Sequence, residues 1–299
     1  MVLAGQYQDN VRLGIFLMLA AYTLFSFIDV GAKWLAVLGL PALQIAFMRY
    51  AGHFVISTAL VGRGGYHLSR FSSPHIKLVL LRGVLLMAST VFNFFALRWL
   101  PLTLTSTILF SAPIIICFLS WPLLGERVGI YRWSAILLGF AGVAIAIRPF
   151  DESFHWAVFL SLSGALCFSL YSLLTRHLSG LVSTDLLQFH SGMVGSVCLL
   201  PFALFQWQMP TCLTDGLILV SLGFFGWAGH QVLTIAHNYA PASTLSPFGY
   251  SFILFLTVWS YLIFDHLPDR WTLIGGSIVV LSGLFIWFRE TRILPDRQT

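Results

Sequence analysis

Few side chains in this sequence are able to do chemistry, because ionisable groups are scarce inside its long apolar runs. Asp29 and Lys33 stand four residues apart in one such run, acid first, the favoured order for a pair on one helical face. Arg49 follows in Phe47-Met48-Arg49-Tyr50 and Arg82 in Leu81-Arg82-Gly83, and the uncharged polar groups Asn93, His230, Gln231 and Tyr250 lie in later runs. In an apolar setting a guanidinium and an ammonium attract a carboxylate or a phosphate. The same groups could instead form an Asp29–Arg49 or Asp29–Lys33 pair that only locks two helices together, and Lys33 and Arg82 are long enough to snorkel to headgroups. Histidine is the residue type that suits proton coupling, so His230 reads either as a proton-coupling group or as one that hydrogen-bonds a neighbouring helix; His53 and His190 allow the same two readings. Asp29, Lys33, Arg49, Asn93, His230, Gln231 and Tyr250 are therefore the candidate substrate-binding or gating residues.

Catalytic patterns are missing. The sequence has no HExxH, no GxSxG and no second acid within an apolar run to pair with Asp29, so an intramembrane enzyme is a remote alternative. Cys117, Cys167, Cys198 and Cys212 have no CxxC or Cys/His spacing and read as packing residues, with neither metal nor disulfide expected. Gly223, Gly226 and Gly229 follow no strand and are not a nucleotide fingerprint. No cofactor is expected.

The elements that position these residues follow from composition. Hydrophobic residues make up 58% of the 299 and charged ones 9%, against about 25% charged in a soluble domain. The solvent for most of the chain is therefore lipid. The basic residues are scattered singly, which argues against nucleic acid as a partner. Apolar runs predict ten helical spans, at 13–36, 41–61, 76–97, 101–121, 129–148, 154–176, 184–207, 216–238, 241–264 and 271–288. The first run continues to Ala36 and reads as a permanent helix, being longer than the about 7–15 apolar residues of a signal peptide. With the N-terminus inside, ten Lys and Arg face the cytoplasm and three the outer side, which predicts both termini cytoplasmic. On this reading Asp29 lies about 24 Å along the first helix, Arg49 about 12 Å into the second and Arg82 about 9 Å into the third.

The two halves match each other. Residues 83–126 lie on 223–266 without a gap, pairing Gly83 with Gly223, Pro101 with Pro241, Phe110 with Tyr250 and Ser111 with Ser251. At an offset of 143, Phe25-Ser26 meets Phe168-Ser169 and Lys33 meets Arg176. Five helices per repeat is an odd number, so the second copy, 154–288, enters the membrane from the opposite side to the first, 13–148. That arrangement is a signature of secondary transporters, with a substrate site near the midplane. The fold class expected is an all-α membrane protein of ten transmembrane helices in two inverted five-helix repeats. Pro113 and Pro247 should bend the fourth and ninth helices. Trp227, Tyr250 and Phe94 pack helices or stack on a flat solute.

Lys33, Arg49 in its Phe-Met-Arg-Tyr context, Leu81-Arg82-Gly83 and above all Leu100 to Arg127, with Ser111-Ala112-Pro113 and Leu123-Leu124-Gly125-Glu126-Arg127, resemble the EamA branch of the drug/metabolite transporter superfamily over nearly the whole chain. Phe264-Asp265-His266 departs from the pattern, standing where Leu-Gly-Glu is expected. The resemblance implies alternating access at the inner membrane and a small-molecule substrate. It also implies a homodimer contact through helices five and ten, whose Gly139–Gly142 and Gly276–Gly283 offer small faces. The excess of positive charge favours an anionic or zwitterionic solute such as an amino acid or carboxylate. The family also includes carriers of riboflavin and S-adenosylmethionine, which stand as the alternative.

Overall fold

The computed structural model describes residues 11–62, 73–112, 114–116, 118–119, 130–148, 152, 154–178, 181–239 and 246–293. Lipid offers no partner to a backbone N–H or C=O, so an apolar chain that enters it must close its hydrogen bonds within each segment. The described residues do this throughout: they hold no strand. Among the described residues the longer helices, in chain order, are α1 (Val11–Val37), α2 (Ala42–Gly62), α3 (Ile76–Trp99), α4 (Leu102–Leu109), α5 (Ile130–Ile147), α6 (Val158–Leu178), α7 (Thr184–Phe205), α8 (Leu213–Tyr239), α9 (Ser251–Phe264) and α10 (Arg270–Ile293). Six of them, α1, α2, α3, α6, α7 and α8, are long and apolar enough to cross a membrane.

The shorter elements have local causes. Phe110 and Ser111 form a turn that ends α4, with Phe110 N–H on the Ser106 carbonyl and Ser111 N–H on that of Ile108. A 3-10 turn, Ser246–Tyr250, contains Pro247 and leads into α9. The breaks at Phe110 and Tyr250 fall at the positions that the internal match pairs. Pro201, not singled out in the sequence, lies inside α7. Pro113, Cys117, Pro241, the Leu123–Arg127 motif and Arg63, Arg70 and Arg297 lie outside the described residues.

The helices pair α1 on α8, α3 on α6, α2 on α7 and on α8, α3 on α7, α5 on α10, α1 on α9, α4 on α6 and α4 on α9. Glycines allow the closest of these contacts. A Cβ on Gly52 would stand 2.8 Å from the Gly223 Cα, so α2 and α8 touch backbone to backbone. At the α5–α10 contact, a Cβ on Gly142 would lie 2.8 Å from the Gly275 carbonyl oxygen. The small faces of the fifth and tenth helices thus pack on each other within one chain, with Gly139 against Ile114 and Gly283 against the Tyr250 hydroxyl. Large apolar side chains such as Leu137, Leu138, Val197 and Leu217 point outward, as lipid-facing residues do. Cys198 and Cys212 are exposed rather than packed, and Cys167 is half-buried.

Candidate functional site

Asp29 on α1 is buried and accepts a hydrogen bond from Asn93 Nδ2 on α3 at 3.2 Å through Oδ1. One turn later Lys33 faces the end of α3, where the last carbonyls of the helix have no internal partner. Its Nζ donates to Leu97 O at 2.6 Å and to Leu100 O at 3.0 Å. Lys33 therefore closes a helix end and stands apart from Asp29 and Arg49, while the Arg49 guanidinium still bears on Asp29.

Arg49 on α2 is 5% exposed. One terminal nitrogen donates to Thr90 Oγ1 at 3.0 Å, and the other lies 3.4 Å from His230 Nε2. The guanidinium can only donate, so that contact is a hydrogen bond when Nε2 of the ring carries no proton. The Thr90 hydroxyl donates to Leu86 O, which makes Tyr50 OH, 2.9 Å away, the donor to Thr90. Opposite, on α8, Gly226 leaves room: a Cβ there would stand 3.4 Å from Arg49 Cγ and Nε. The Nε of Arg49 is buried and has no hydrogen-bond partner.

His230, also buried, lies among rings, with Phe25 at 4.9 Å, Tyr171 at 6.1 Å and His53 at 6.2 Å between centroids. Beyond Tyr171 the polar groups continue to Arg82 on α3, which is 3% exposed and therefore does not snorkel. Its Nε donates to Thr175 Oγ1 at 2.7 Å and its terminal nitrogens to Ser191 Oγ at 2.8 Å, Tyr171 OH at 2.8 Å and Leu187 O at 3.2 Å. The Tyr171 ring also lies under the guanidinium, 4.5 Å from its carbon. A column of polar side chains, buried except for the half-buried Asn93, thus runs from Asp29 and Asn93, through Arg49 and His230, to Arg82.

Two candidates lie off this column. Gln231 reaches Asp185 Oδ1 at 3.3 Å on an exposed edge, and Tyr250 packs its ring 5.4 Å from Phe110. Phe94 belongs to the apolar core, and the Trp227 ring lies tilted 6.3 Å from that of Phe224. His190 is engaged by the Leu186 carbonyl at 2.9 Å. Sequence reasoning missed a second buried acid, Asp215, which accepts from Trp34 Nε1 and from Thr211 Oγ1, both at 3.0 Å. The available signal was an acid in the first turn of a helix, where the dipole favours it. Among the described residues no group of His, Cys, Asp and Glu could hold a metal ion.

A model of the EamA-like transporter family matches residues 12–148 and again 155–288. The chain belongs to the EamA-like transporter family. EamA-type relatives include an S-adenosylmethionine uptake transporter of Rickettsia bellii, 26% identical over 90% of this chain and 91% of its own. A riboflavin transporter of Rhizobium johnstonii is 27% identical, with 93% of this chain and 92% of its own covered. A pseudopaline exporter of Pseudomonas aeruginosa is 27% identical over 92% and 95%. A solved crystal structure superposes with a TM-score of 0.66 at 17% identity, covering 93% of this chain and 99% of its own, a likeness of fold. This EamA-family chain is accordingly a multi-pass membrane transporter of small metabolites.

Proposed function

We propose that the chain is a secondary transporter of the bacterial inner membrane that carries an anionic or zwitterionic solute, an amino acid or a carboxylate. It works by alternating access between two inverted five-helix halves, 13–148 and 154–288. The carrying observation is the charge of the column. Arg49 and Arg82 are both buried, and among the described residues neither is in a salt bridge. Asp29 is the column's one acid, with a single oxygen engaged by Asn93. Asp29 lies near enough for the Arg49 charge to bear on it, but one acid leaves the two buried guanidiniums with a net positive charge, which is costly and which a solute carboxylate on Arg49 offsets. Asp29 is then placed to receive the ammonium of a zwitterion.

The helix pairings support the two halves. Exchanging every helix for the one five later turns α1 on α8 into α6 on α3, α2 on α8 into α7 on α3, and α1 on α9 into α6 on α4, all of which occur. The excess of Lys and Arg supports termini in the cytoplasm, which puts Arg82 in the inner half and Asp29 in the outer.

In proteoliposomes, Arg49→Ala should lower uptake of a labelled amino acid or carboxylate by at least about 30-fold, the scale for truncating one partner of a buried charged pair. Insertion and size-exclusion profile should be unchanged. Normal flux in that variant would remove Arg49 from the site. A second reading, transport of a planar or cofactor-type solute, is favoured by the riboflavin and S-adenosylmethionine relatives and by the aromatic wall of Phe25 and Tyr171 beside His230. Saturable riboflavin or S-adenosylmethionine uptake that amino acids do not inhibit would establish it.

A further inference from the structure

Most buried polar groups in a folded chain have a hydrogen-bond partner, so a run of groups without one calls for an occupant. Such a run follows α2. Arg49, His53 and Ser57 recur every four residues and so share one face of that helix. Arg49 Nε, both ring nitrogens of His53 and Ser57 Oγ are buried without a partner. Gln188 on α7 stands beside His53, near enough for a weak side-chain contact with it, but its buried Oε1 makes no hydrogen bond of ordinary geometry. His53, Ser57 and Gln188 are each no more than 2% exposed. The packing of α7 on α2 keeps these groups level, with Gly192 against the backbone of Phe54 and Phe189 5.3 Å from the Phe54 ring.

We infer that His53, Ser57 and Gln188 form a subsite that receives the neutral, hydrogen-bonding tail of the solute whose carboxylate Arg49 holds. The inference rests on that role of Arg49. The subsite has donors and acceptors together: a hydroxyl, an amide oxygen and a neutral imidazole with one of each. Groups of that kind match an amide or hydroxyl tail. A cationic tail is rejected, because the guanidiniums of Arg49 and Arg82 bear on His53. An apolar tail leaves Ser57 without a partner and His53 and Gln188 with only their weak mutual contact, and a site built to hydrogen-bond its ligand discriminates strongly against the analogue that cannot.

The test is competitive binding to the purified full-length protein with three zwitterions of similar length: L-glutamine, L-norleucine and L-lysine. Glutamine should bind at least about tenfold more tightly than norleucine, with lysine weakest. In Gln188→Leu and in Ser57→Ala the glutamine-to-norleucine ratio should fall toward one. Arg49→Gln should weaken all three while preserving the ratio. Two separate variants, each checked for a normal size-exclusion profile, guard against one that fails to fold. Equal wild-type binding of glutamine and norleucine, lysine binding as tightly as glutamine, or an unchanged ratio in both subsite variants would overturn the subsite alone. No binding of any probe, or wild-type affinity in Arg49→Gln, would overturn the role of Arg49 and the subsite with it.

Discussion

Arg82 is held in the bundle by four hydrogen bonds to α6 and α7, made across the two sequence halves. A lysine there keeps the charge but is a point donor on a flexible stem, unable to span the same fork. Arg82→Lys should therefore destabilise the protein by about 1–3 kcal/mol, the cost of leaving buried partners unmet, read as a lower melting temperature in a thiol-reactive dye assay. An unchanged melting temperature would mean that the fork is dispensable. Residues such as this show where sequence reading ends. Arg82 sits about 9 Å from a helix end, a depth that fits snorkelling as well as burial. Its partners lie 89 to 109 residues further on, and only the packing of three helices brings them together. Lys33 is the same case, since its acceptors are backbone carbonyls, which carry no residue signature. Asp29, Asn93, Arg49 and His230 were legible because polar groups in apolar runs are rare, whereas Gln231 was named by adjacency and faces another way.

Helix contacts turn on single atoms where glycines meet. Gly223→Val places its Cβ 2.5 Å from the Gly52 Cα, closer than real side chains come, and must push α8 off α2. A loss of more than about 1–3 kcal/mol is expected, as for other overpacked cores. Gly216→Ala, on the same helix with nothing within 4 Å, should be neutral or slightly stabilising. Comparing the melting temperatures of the two variants tests the α2–α8 contact. Arg148 donates to Asp269, tying the end of α5 to the start of α10. Burial acts to raise the Asp269 carboxyl, but hydrogen bonds from Thr272 and the charges of Arg148 and His266 outweigh it and leave it below its ordinary value. A depressed carboxyl adds stability that is complete above its unfolded value of about 3.9 and disappears as pH falls through the folded one. Asp269→Asn should thus cost at most about 1 kcal/mol at neutral pH and nothing in strong acid, measured by unfolding at both pH values. The spans were legible at this scale because about 20 apolar residues leave little choice but a helix. The breaks at Phe110 and before α9 were only half legible: proline marks a bend, not which residues form the turn.

Between the halves, two hydroxyl contacts stand at different depths. Trp259 Nε1 donates to Ser26 Oγ at 3.0 Å, and Arg82 Nε to Thr175 Oγ1 at 2.7 Å. If the halves rock about a central site, these contacts open in turn. The internal match at nearly the same offset, 140 over one stretch and 143 over another, made the halves visible in the sequence, since it survives wherever helices keep their lengths. The column between them was not, being assembled from six helices. The most direct measurement is sided thiol labelling with the native cysteines replaced and Ser26→Cys or Thr175→Cys introduced singly. A membrane-impermeant reagent is applied from each face, with and without a solute that the protein transports. Alternating access predicts reciprocal changes: solute raises labelling of one position from its own side and lowers labelling of the other from the opposite side. Simultaneous labelling of both, or no response of either to transported solute, would contradict it.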